Sequence, residues 1–426
     1  ILCLDCDMNC NDPASARQAM CFHLDPKLAP VLSFVQFPQL FRGITKNDIY
    51  NASHSDIFDI YLFGMDGFAG PVLSGTNFFI KRTSLFGPPD IEHLPDSPCR
   101  ENCRSRLKEC YPLLSCQYED NTKWGKEVGF RYFSVLEDVL TGFVLHSNGW
   151  RSVFINPKKS AFLGVPSTNL QEIFLQETRW CSGLVEIALS RFCPLIYGVR
   201  KKMNFMSCIC YTWLVLFPLL HSLSHWVLAT VPQLCLIHGV SVYPEPFRPF
   251  LSVAIFVVVS ADCKTLIDAL AAGGSFRRVI NYRRIGMIKA VTCQTFGTFE
   301  AVMTMMNMKK QSFLPTDKVD DDDRTKLYRR DLFDFRVSTA FLVPLVSLVF
   351  LNWLSVVVGI TRLVVSGDTL FGELFISCYI AVFGYPIIEG VFCRKDEGRV
   401  PPTARISSVA TVIVFVGSTV VLSSCL

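Results

Sequence analysis

An α/β globular domain followed by an all-α membrane bundle is the architecture this sequence predicts, and three observations carry it. Charged residues make up 18% of the 426 residues and hydrophobic types 50%, against the roughly one quarter charged that soluble chains carry. The deficit is uneven. Up to residue 200, short apolar runs alternate with Gly, Pro, Asn, Asp and charges of both signs, whereas from Lys201 long uncharged runs are separated by basic clusters. The chain also opens on Ile1-Leu2-Cys3-Leu4 and runs straight into Asp5-Cys6-Asp7, the pattern of a buried parallel-sheet strand reaching its carboxyl end. Residues 1–200 are therefore read as the globular domain and 201–426 as the membrane domain. Intrinsic disorder and a coiled coil are excluded, and a formal charge of +4 leaves no basic excess for general nucleic-acid binding. With Ile1 inside an apolar run, no Met and no signal-peptide pattern, the chain is expected to be incomplete at its amino end.

In the membrane half, Met203 to His238 contains no Asp, Glu, Lys or Arg. Pro218 with His221 to Ser224 predicts a tight turn dividing it into two short spans. Val337 to Thr361, Leu370 to Phe392 and Ile406 to Leu426 each approach the ~20 residues that cross a bilayer, which makes five crossings in all. Basic clusters at Arg200–Lys202, Arg277/Arg278 with Arg283/Arg284, Lys309/Lys310, Arg329/Arg330 and Arg394/Lys395 should all be cytosolic, so an even number of crossings separates neighbours. On that count Phe250 to Ala261 is re-entrant or interfacial, Ile285 to Met308 is an amphipathic helix at the membrane surface, and Leu426 lies in the lumen or exterior. Were 203–238 one long tilted helix, Phe250 to Ala261 would become the second crossing with parity preserved. Glu373 and Glu389 are the acidic residues within a clear span, near its ends, which argues against an ion pathway.

The 18 cysteines do not read as a disulfide scaffold. Cys208, Cys210, Cys235, Cys293 and Cys378 sit in apolar runs as small hydrophobes, and thiols on a cytosolic domain stay reduced. Cys99, Cys103, Cys110 and Cys116 could hold zinc, but their gaps lack the paired C-x2-C rhythm, and free thiols on a loop are the favoured alternative.

Three groups carry candidate chemistry. Asp5 and Asp7, two apart on extended chain, point to one side and suit a hard divalent cation that would in turn hold a diphosphate. Glu137-Asp138 is a second acidic pair, followed by the helical run Val139 to Leu145. On a helix Gln176, Arg179 and Trp180 share one face, offering a guanidinium to phosphate oxygens and a ring on which a sugar can stack. Taken singly, each reads as well as an acidic turn or an amphipathic helix.

The order D-x-D, E-D, Q-x-x-R-W and then a membrane bundle resembles the processive inverting glycosyltransferases of the cellulose synthase superfamily. Phe34-Val35-Gln36-Phe37-Pro38-Gln39, Lys46-Asn47-Asp48-Ile49-Tyr50, Asp66-Gly67 with Gly70-Pro71, Gly75-Thr76 and Trp124-Gly125 with Val128-Gly129-Phe130-Arg131-Tyr132 look like the plant cellulose synthase-like proteins, in the branch with the E, G, H and J groups. The resemblance covers essentially the whole chain. It implies a GT-A-like α/β glycosyltransferase domain, incomplete at its amino end, followed by an all-α transmembrane bundle. Asp5 and Asp7 would hold Mg2+ or Mn2+ bound to the UDP diphosphate, and Asp138 would be the base that deprotonates the acceptor. Gln176 and Arg179 would face the donor, and Trp180 the acceptor.

Two departures concern residues present: Leu136 replaces the family Thr before Glu-Asp, where a packing effect is expected. The gating motif appears as Phe313-Leu314-Pro315-Thr316-Asp317-Lys318, with Phe313, Thr316 and Lys318 as gating residues and a proline that stiffens the segment. A third is the family's amino-terminal helix pair and earlier uridine-reading Asp, which this sequence lacks, so the chain by itself is expected to be inactive. The implied partners are a UDP-sugar donor, a glycan or small-molecule acceptor, membrane lipid and other subunits in a homo- or hetero-oligomer. The expected product is a β-linked cell-wall glycan made at the Golgi membrane, with the endoplasmic reticulum and plasma membrane as alternatives and the catalytic domain cytosolic. Glycosylation of a triterpenoid and a non-catalytic partner subunit are the competing readings. Trp213, Trp226 and Trp353 are candidates to line a glucan channel or to sit in a lipid-facing belt. The sequon Asn51-Ala52-Ser53 is expected to stay unmodified.

Overall fold

The computed structural model describes residues 1–87, 123–243, 249–271, 273–308, 322–367 and 370–425. They form two units. The first comprises Ile1–Arg42, His54–Val165 and Gly183–Leu216, the second Gly43–Ser53, Pro166–Ser182 and Phe217–Leu426. Cys99, Cys103, Cys110, Cys116, Phe313, Thr316 and Lys318 lie outside the described residues.

The first unit contains β1 (Leu2–Cys3), β2 (Asn9–Cys10), α1 (Ser15–His23), β3 (Leu32–Gln36), α2 (Leu62–Asp66), β4 (Phe78–Ile80), α3 (Glu137–Ser147), β5 (Arg151–Phe154) and β6 (Phe162–Leu163). The main sheet runs β1-β4-β3-β5, and β2 pairs with β6. The sheet is mixed: β3 and β5 are parallel, while β4 is antiparallel to β3 and β1. All five residues of β3 are buried, because side chains pack on both faces of the sheet. Phe34 joins Leu73, Phe78, Leu145 and Trp150 on one side, and Leu32, Val35 and Phe37 join Ala19 and Phe162 on the other. A register irregularity between Leu32 and Phe34 shifts the alternation, so that two residues of equal parity face opposite layers.

Two expectations are corrected here. Ile1 to Leu4 is not a buried parallel strand: β1 is a two-residue edge strand antiparallel to β4, and Ile1, Leu2 and Leu4 are exposed. An edge strand has one neighbour, so its other flank keeps solvent access. Asp5 and Asp7 are also not on extended chain, since the Met8 N–H donates to the Asp5 carbonyl at 3.0 Å and closes a turn over them.

The helices continue with α4 (Leu170–Leu189), α5 (Pro194–Arg200), α6 (Phe205–His238), α7 (Pro249–Ala271), α8 (Phe276–Val291), α9 (Cys293–Met305), α10 (Asp322–Arg329), α11 (Thr339–Ser366), α12 (Phe371–Phe383), α13 (Tyr385–Ile388) and α14 (Pro402–Cys425). The predicted turn at Pro218 is absent, and α6 is a continuous helix of 34 residues with Pro218 and Pro232 inside it. The polar residues that suggested a turn bond to α9 instead. His221 Nδ1 pairs with Gln294 Oε1 at 2.8 Å, the Ser222 and Thr295 hydroxyls meet at 2.9 Å, and Trp226 Nε1 donates to Thr295 at 2.8 Å. Phe250 to Ala261 belongs to the 23-residue α7, about 35 Å long at 1.5 Å per residue. Ile285 to Met308 is two helices, α8 and α9, that meet at Thr292.

Among the described residues, three helices are long and apolar enough to cross a bilayer: α6, α11 and residues Pro402–Val421 of α14. The number is up to five if the bent pairs are each one span, α4 with α5 and α12 with Tyr385–Cys393, the second bent by 58°. Several polar groups among these helices bond to one another or to carbonyls. Asn352, fully buried, donates to the Ala229 and Leu348 carbonyls and accepts from Gln233. Glu373 accepts the Val242 and Tyr243 N–H groups at 2.6 and 3.0 Å, so its charge holds a loop.

Segment Gly43–Ser53 is built into the second unit. Asp48 accepts from the Ala52 and Ser53 N–H groups and from the Ser53 and Tyr328 hydroxyls, with Arg278 at 3.8 Å. Tyr50 stacks on Tyr328, and its hydroxyl accepts the Asp334 N–H at 2.8 Å. Asn51 of the sequon is buried.

Lys289, the charge that interrupted an apolar run, meets Glu177 of α4 at 2.6 Å, with both side chains largely shielded. Removing one partner of a buried pair strands the other charge, at a cost of about 3–5 kcal/mol. Lys289→Ala should therefore lower stability by about that amount, and Lys289→Met combined with Glu177→Leu should recover most of it, as read by thermal unfolding of the detergent-solubilised protein.

Candidate functional site

In the first unit the site is organised by the turn Ser74-Gly75-Thr76-Asn77. Glu137 and Asp138 open α3, where carboxylates are favoured by the helix dipole. The Gly75 N–H donates to Asp138 Oδ2 at 2.7 Å. The next residue accepts the Asp5 N–H on its hydroxyl, Thr76 Oγ1, at 2.8 Å, and the Asn77 N–H donates to the Cys3 carbonyl at 3.0 Å. One turn thus holds both the D-x-D segment and the helix-borne Asp138. Gly75 has φ +50°, a region glycine enters without strain.

Buried Gln36 at the end of β3 holds this turn from beneath. Its amide donates to the Phe37 and Thr76 carbonyls, both at 2.8 Å, and its Oε1 accepts the Ser74 N–H at 3.0 Å. Gln39 adds a bond to the Ser74 carbonyl at 3.1 Å. A glutamine closing a fully buried strand is the signal that could have marked this role. Gly142 sets the spacing between helix and turn: a Cβ there would come within 2.7 Å of the Leu73 Cβ and 2.9 Å of its backbone nitrogen. Leu136, the departure from the family pattern, packs on Gly183, whose added Cβ would lie 2.8 Å from its Cγ. At the far end of α3, His146 is buried between Ser152 and the Tyr211 hydroxyl, each at 3.0 Å. Burial pushes the imidazole down to about 4, so it stays neutral and anchors the helix.

Burial is the main reason that the Asp138 carboxyl is pushed up to about 6, followed by the charge of Glu137, while the N–H groups of Val139 and Gly75 work in the opposite direction. Asp138 itself is half-buried and keeps partial solvent access. Asp5 is exposed and Asp7 half-buried. Among the described residues no group of three or more His, Cys, Asp or Glu comes together as a metal site. Were Asp5 and Asp7 to bind one cation together, it would still need oxygens from elsewhere, a donor set of the kind Mg2+ takes, since it keeps waters and substrate phosphates in its shell.

In the second unit, Gln176, Arg179 and Trp180 are half-buried on α4, with the spacing that places them on one flank. Asn169 Oδ1 accepts the Glu172 N–H at 2.9 Å in the first turn, as an N-cap does. Ile173 and Phe174 bury in the core of this unit, and Gly297 of α9 approaches so closely that a Cβ would lie 2.6 Å from the Thr178 carbonyl. Gln176 Oε1 accepts the Ser167 hydroxyl at 3.4 Å. Lys289 and Gly297 thus hold the Q-x-x-R-W stretch from two neighbouring helices.

A family model described as cellulose synthase matches residues 1–105 and 92–424. The chain is 37% identical to quillaic acid 3-O-glycosyltransferase CSL1 of Saponaria officinalis, over 93% of this chain and 60% of that protein. It is 31% identical to cellulose synthase-like protein E1 of Oryza sativa subsp. japonica, over 97% of this chain and 57% of that protein. It is also 29% identical to a probable cellulose synthase A catalytic subunit 8 [UDP-forming] of the same rice, over 93% and 45% respectively. The chain belongs to the cellulose synthase family, as a plant cellulose synthase-like protein. It spans 60% of the length of the first of these relatives and 45% of the last.

The contact between Gly142 and Leu73 yields a direct test. Gly142→Ala forces α3 away from the turn and should cost about 1–3 kcal/mol, the usual range for overpacking. A lowered unfolding midpoint in the variant is the expected result, with Gly64→Ala, at an open position on α2, leaving it unchanged or slightly raised through helix propensity.

Proposed function

We propose that the full-length protein is a membrane-embedded inverting glycosyltransferase that moves a sugar from a UDP-sugar onto a neutral hydroxyl to give a β-glycoside. The observation that carries this reading is Asp138: a carboxylate pushed up to about 6, at a helix start, oriented by the Gly75 N–H. A base is most effective when its pKa lies near the working pH. In the proposed step Asp138 takes the acceptor hydroxyl proton while the oxygen attacks the anomeric carbon from the face opposite UDP. The new bond forms as the bond from that carbon to the phosphate oxygen breaks, with inversion. Asp5 and Asp7 would hold Mg2+ or Mn2+, which when bound supplies charge neutralisation for the diphosphate. Arg179 and Gln176 bind the donor and Trp180 stacks on the acceptor.

Residues 1–200 serve as the cytosolic catalytic part and 201–426 as the membrane part, in the Golgi membrane, with the endoplasmic reticulum and the plasma membrane as alternatives. The continuity of α6 and the length of α7 support a pair of crossings there, which keeps the basic clusters on one side. The charges of α7 are compatible with this, since Lys264 pairs with Asp268 within the helix and Asp262 pairs with Arg283 of α8. A cell-wall glycan is the expected product. A small lipophilic acceptor is the second reading, favoured by the likeness to the quillaic acid glycosyltransferase. Product analysis with the full-length protein, offering UDP-sugars with and without a triterpenoid acceptor, distinguishes them.

UDP release should fall by about 10²–10⁴-fold in Asp138→Asn, the usual contribution of a general base. Unchanged turnover would instead favour a non-catalytic partner subunit. Because the active form of Asp138 is the ionised one, wild-type kcat/KM should drop with acidification below about pH 6, approaching tenfold per unit, and this acid limb should be missing from the residual activity of Asp138→Asn. Chelation with EDTA should stop turnover and added Mn2+ should restore it, whereas full activity in the chelator would remove Asp5 and Asp7 from the proposed role.

A further inference from the structure

A cavity of about 310 Å³ opens in the second unit, lined by Arg277, Arg284, Arg330, Arg394, Asp331 and Glu389 among others. It is far larger than the ~10–15 Å³ that one water requires. Its charges do not cancel. Asp331 lies 3.9 Å from Arg277 and accepts from Asn47 at 2.6 Å, and Arg394 is committed to Asp396, outside the cavity, and to the Phe333 carbonyl. Arg284 and Arg330 share the lining with one further acid, Glu389. Among the described residues neither arginine has an ion-pair partner, and the Arg284 Nε is buried without a hydrogen-bond acceptor. Burial, and after it the charge of Arg277, pulls the Arg284 guanidinium below its usual range, while Glu389 and Tyr385 act in the opposite direction. A buried guanidinium donor without an acceptor is costly, and a planar fork of this kind matches phosphate oxygens.

The position of the cavity narrows the source of the anion. Its lining comes from α8, from the segment just before α11, and from α13 with the residues that follow it, so it sits at the end of the helices where α11 starts and the α12–α13 span finishes. Tyr385 in its wall and Phe392 and Phe276 beside it in sequence are exposed at 47%, 71% and 63%. Exposed aromatics next to arginines at helix ends are the composition of a membrane–water boundary, and basic recesses between such helices take anionic headgroups.

We infer that this cavity is a binding site for a phosphate ester, with Arg284 and Arg330 as its principal contacts and the headgroup of an anionic phospholipid as the occupant. The lipid source rests on the membrane placement proposed above, whereas the phosphate chemistry does not. Two arms separate them. In the first, the full-length protein is placed in phosphatidylcholine nanodiscs with or without phosphatidylinositol 4-phosphate, and retained lipid is counted by native mass spectrometry. In the second, inorganic pyrophosphate is titrated calorimetrically into detergent-solubilised protein, which needs no insertion.

Wild type should retain phosphatidylinositol 4-phosphate at least tenfold better than Arg284→Gln and Arg330→Gln, with Lys395→Gln, an exposed cation outside the cavity, behaving as wild type. Arg330 is exposed, so its variant keeps the test decisive should Arg284→Gln fail to fold. Pyrophosphate binding lost in the arginine variants without lipid selectivity would keep the phosphate site and overturn its lipid source. Equal retention of both probes in all variants, or an equal loss in Lys395→Gln, would overturn the site altogether. Failure to enter nanodiscs would count against the membrane placement and leave the pyrophosphate arm to decide the phosphate site.

Discussion

The hydrogen bond from the Gly75 N–H to the Asp138 carboxylate is the contact on which the candidate site depends. It works because three unrelated stretches of sequence converge on one turn. β3 supplies Gln36, whose single amide spans the turn from Ser74 to Thr76. α3 supplies the carboxylate, and Gly142 lets that helix approach Leu73 at backbone distance. Thr76 then passes the constraint on to Asp5. Because each of these is a short polar bond or a close steric contact, a shift of even 1 Å in the turn would disturb the base and the D-x-D segment together.

The second unit follows a different rule. Its core is a set of apolar helix faces, with polar side chains inside that satisfy one another or free carbonyls: Asn352 with Gln233, Glu373 with the 242–243 backbone, and His221, Ser222 and Trp226 with α9. Such pairs are what long apolar helices need if they are to carry polar residues at all. The Lys289–Glu177 bridge belongs to the same logic and ties the Q-x-x-R-W helix to α8. The arginine cavity differs in that its lining holds more arginines than acids.

Much of the chain's organisation was legible in its amino acids. The D-x-D, Glu-Asp and Q-x-x-R-W groups were visible, and Glu137 and Asp138 do begin a helix, because acidic residues followed by a non-polar run suit a helix start. The family motifs carried the recognition. Their individual tasks were not legible: Gln36 and Gly75 were only members of a pattern, and the role of Asp48 as an acceptor of four protein bonds depends on Tyr328 and other residues far away in sequence. The single α6 stood only as the alternative to a divided run because Pro and His were weighed as turn formers, while the hydrogen bonds that His221 and Ser222 make come from Gln294 and Thr295.

Sequence alone determined the uneven distribution of charge, the apolar runs and the order of the carboxylates and Q-x-x-R-W residues, since composition and spacing are local properties. Tertiary structure decided that Ile1 to Leu4 is an exposed edge, that Asp5 and Asp7 lie in a turn, and that Lys289 pairs with Glu177. It also decided that Asp138 titrates near 6. Apart from the turn, which Met8 closes locally, the reason is shared: burial, pairing and desolvation are set by neighbours distant along the chain, and only the fold brings them within a few ångströms.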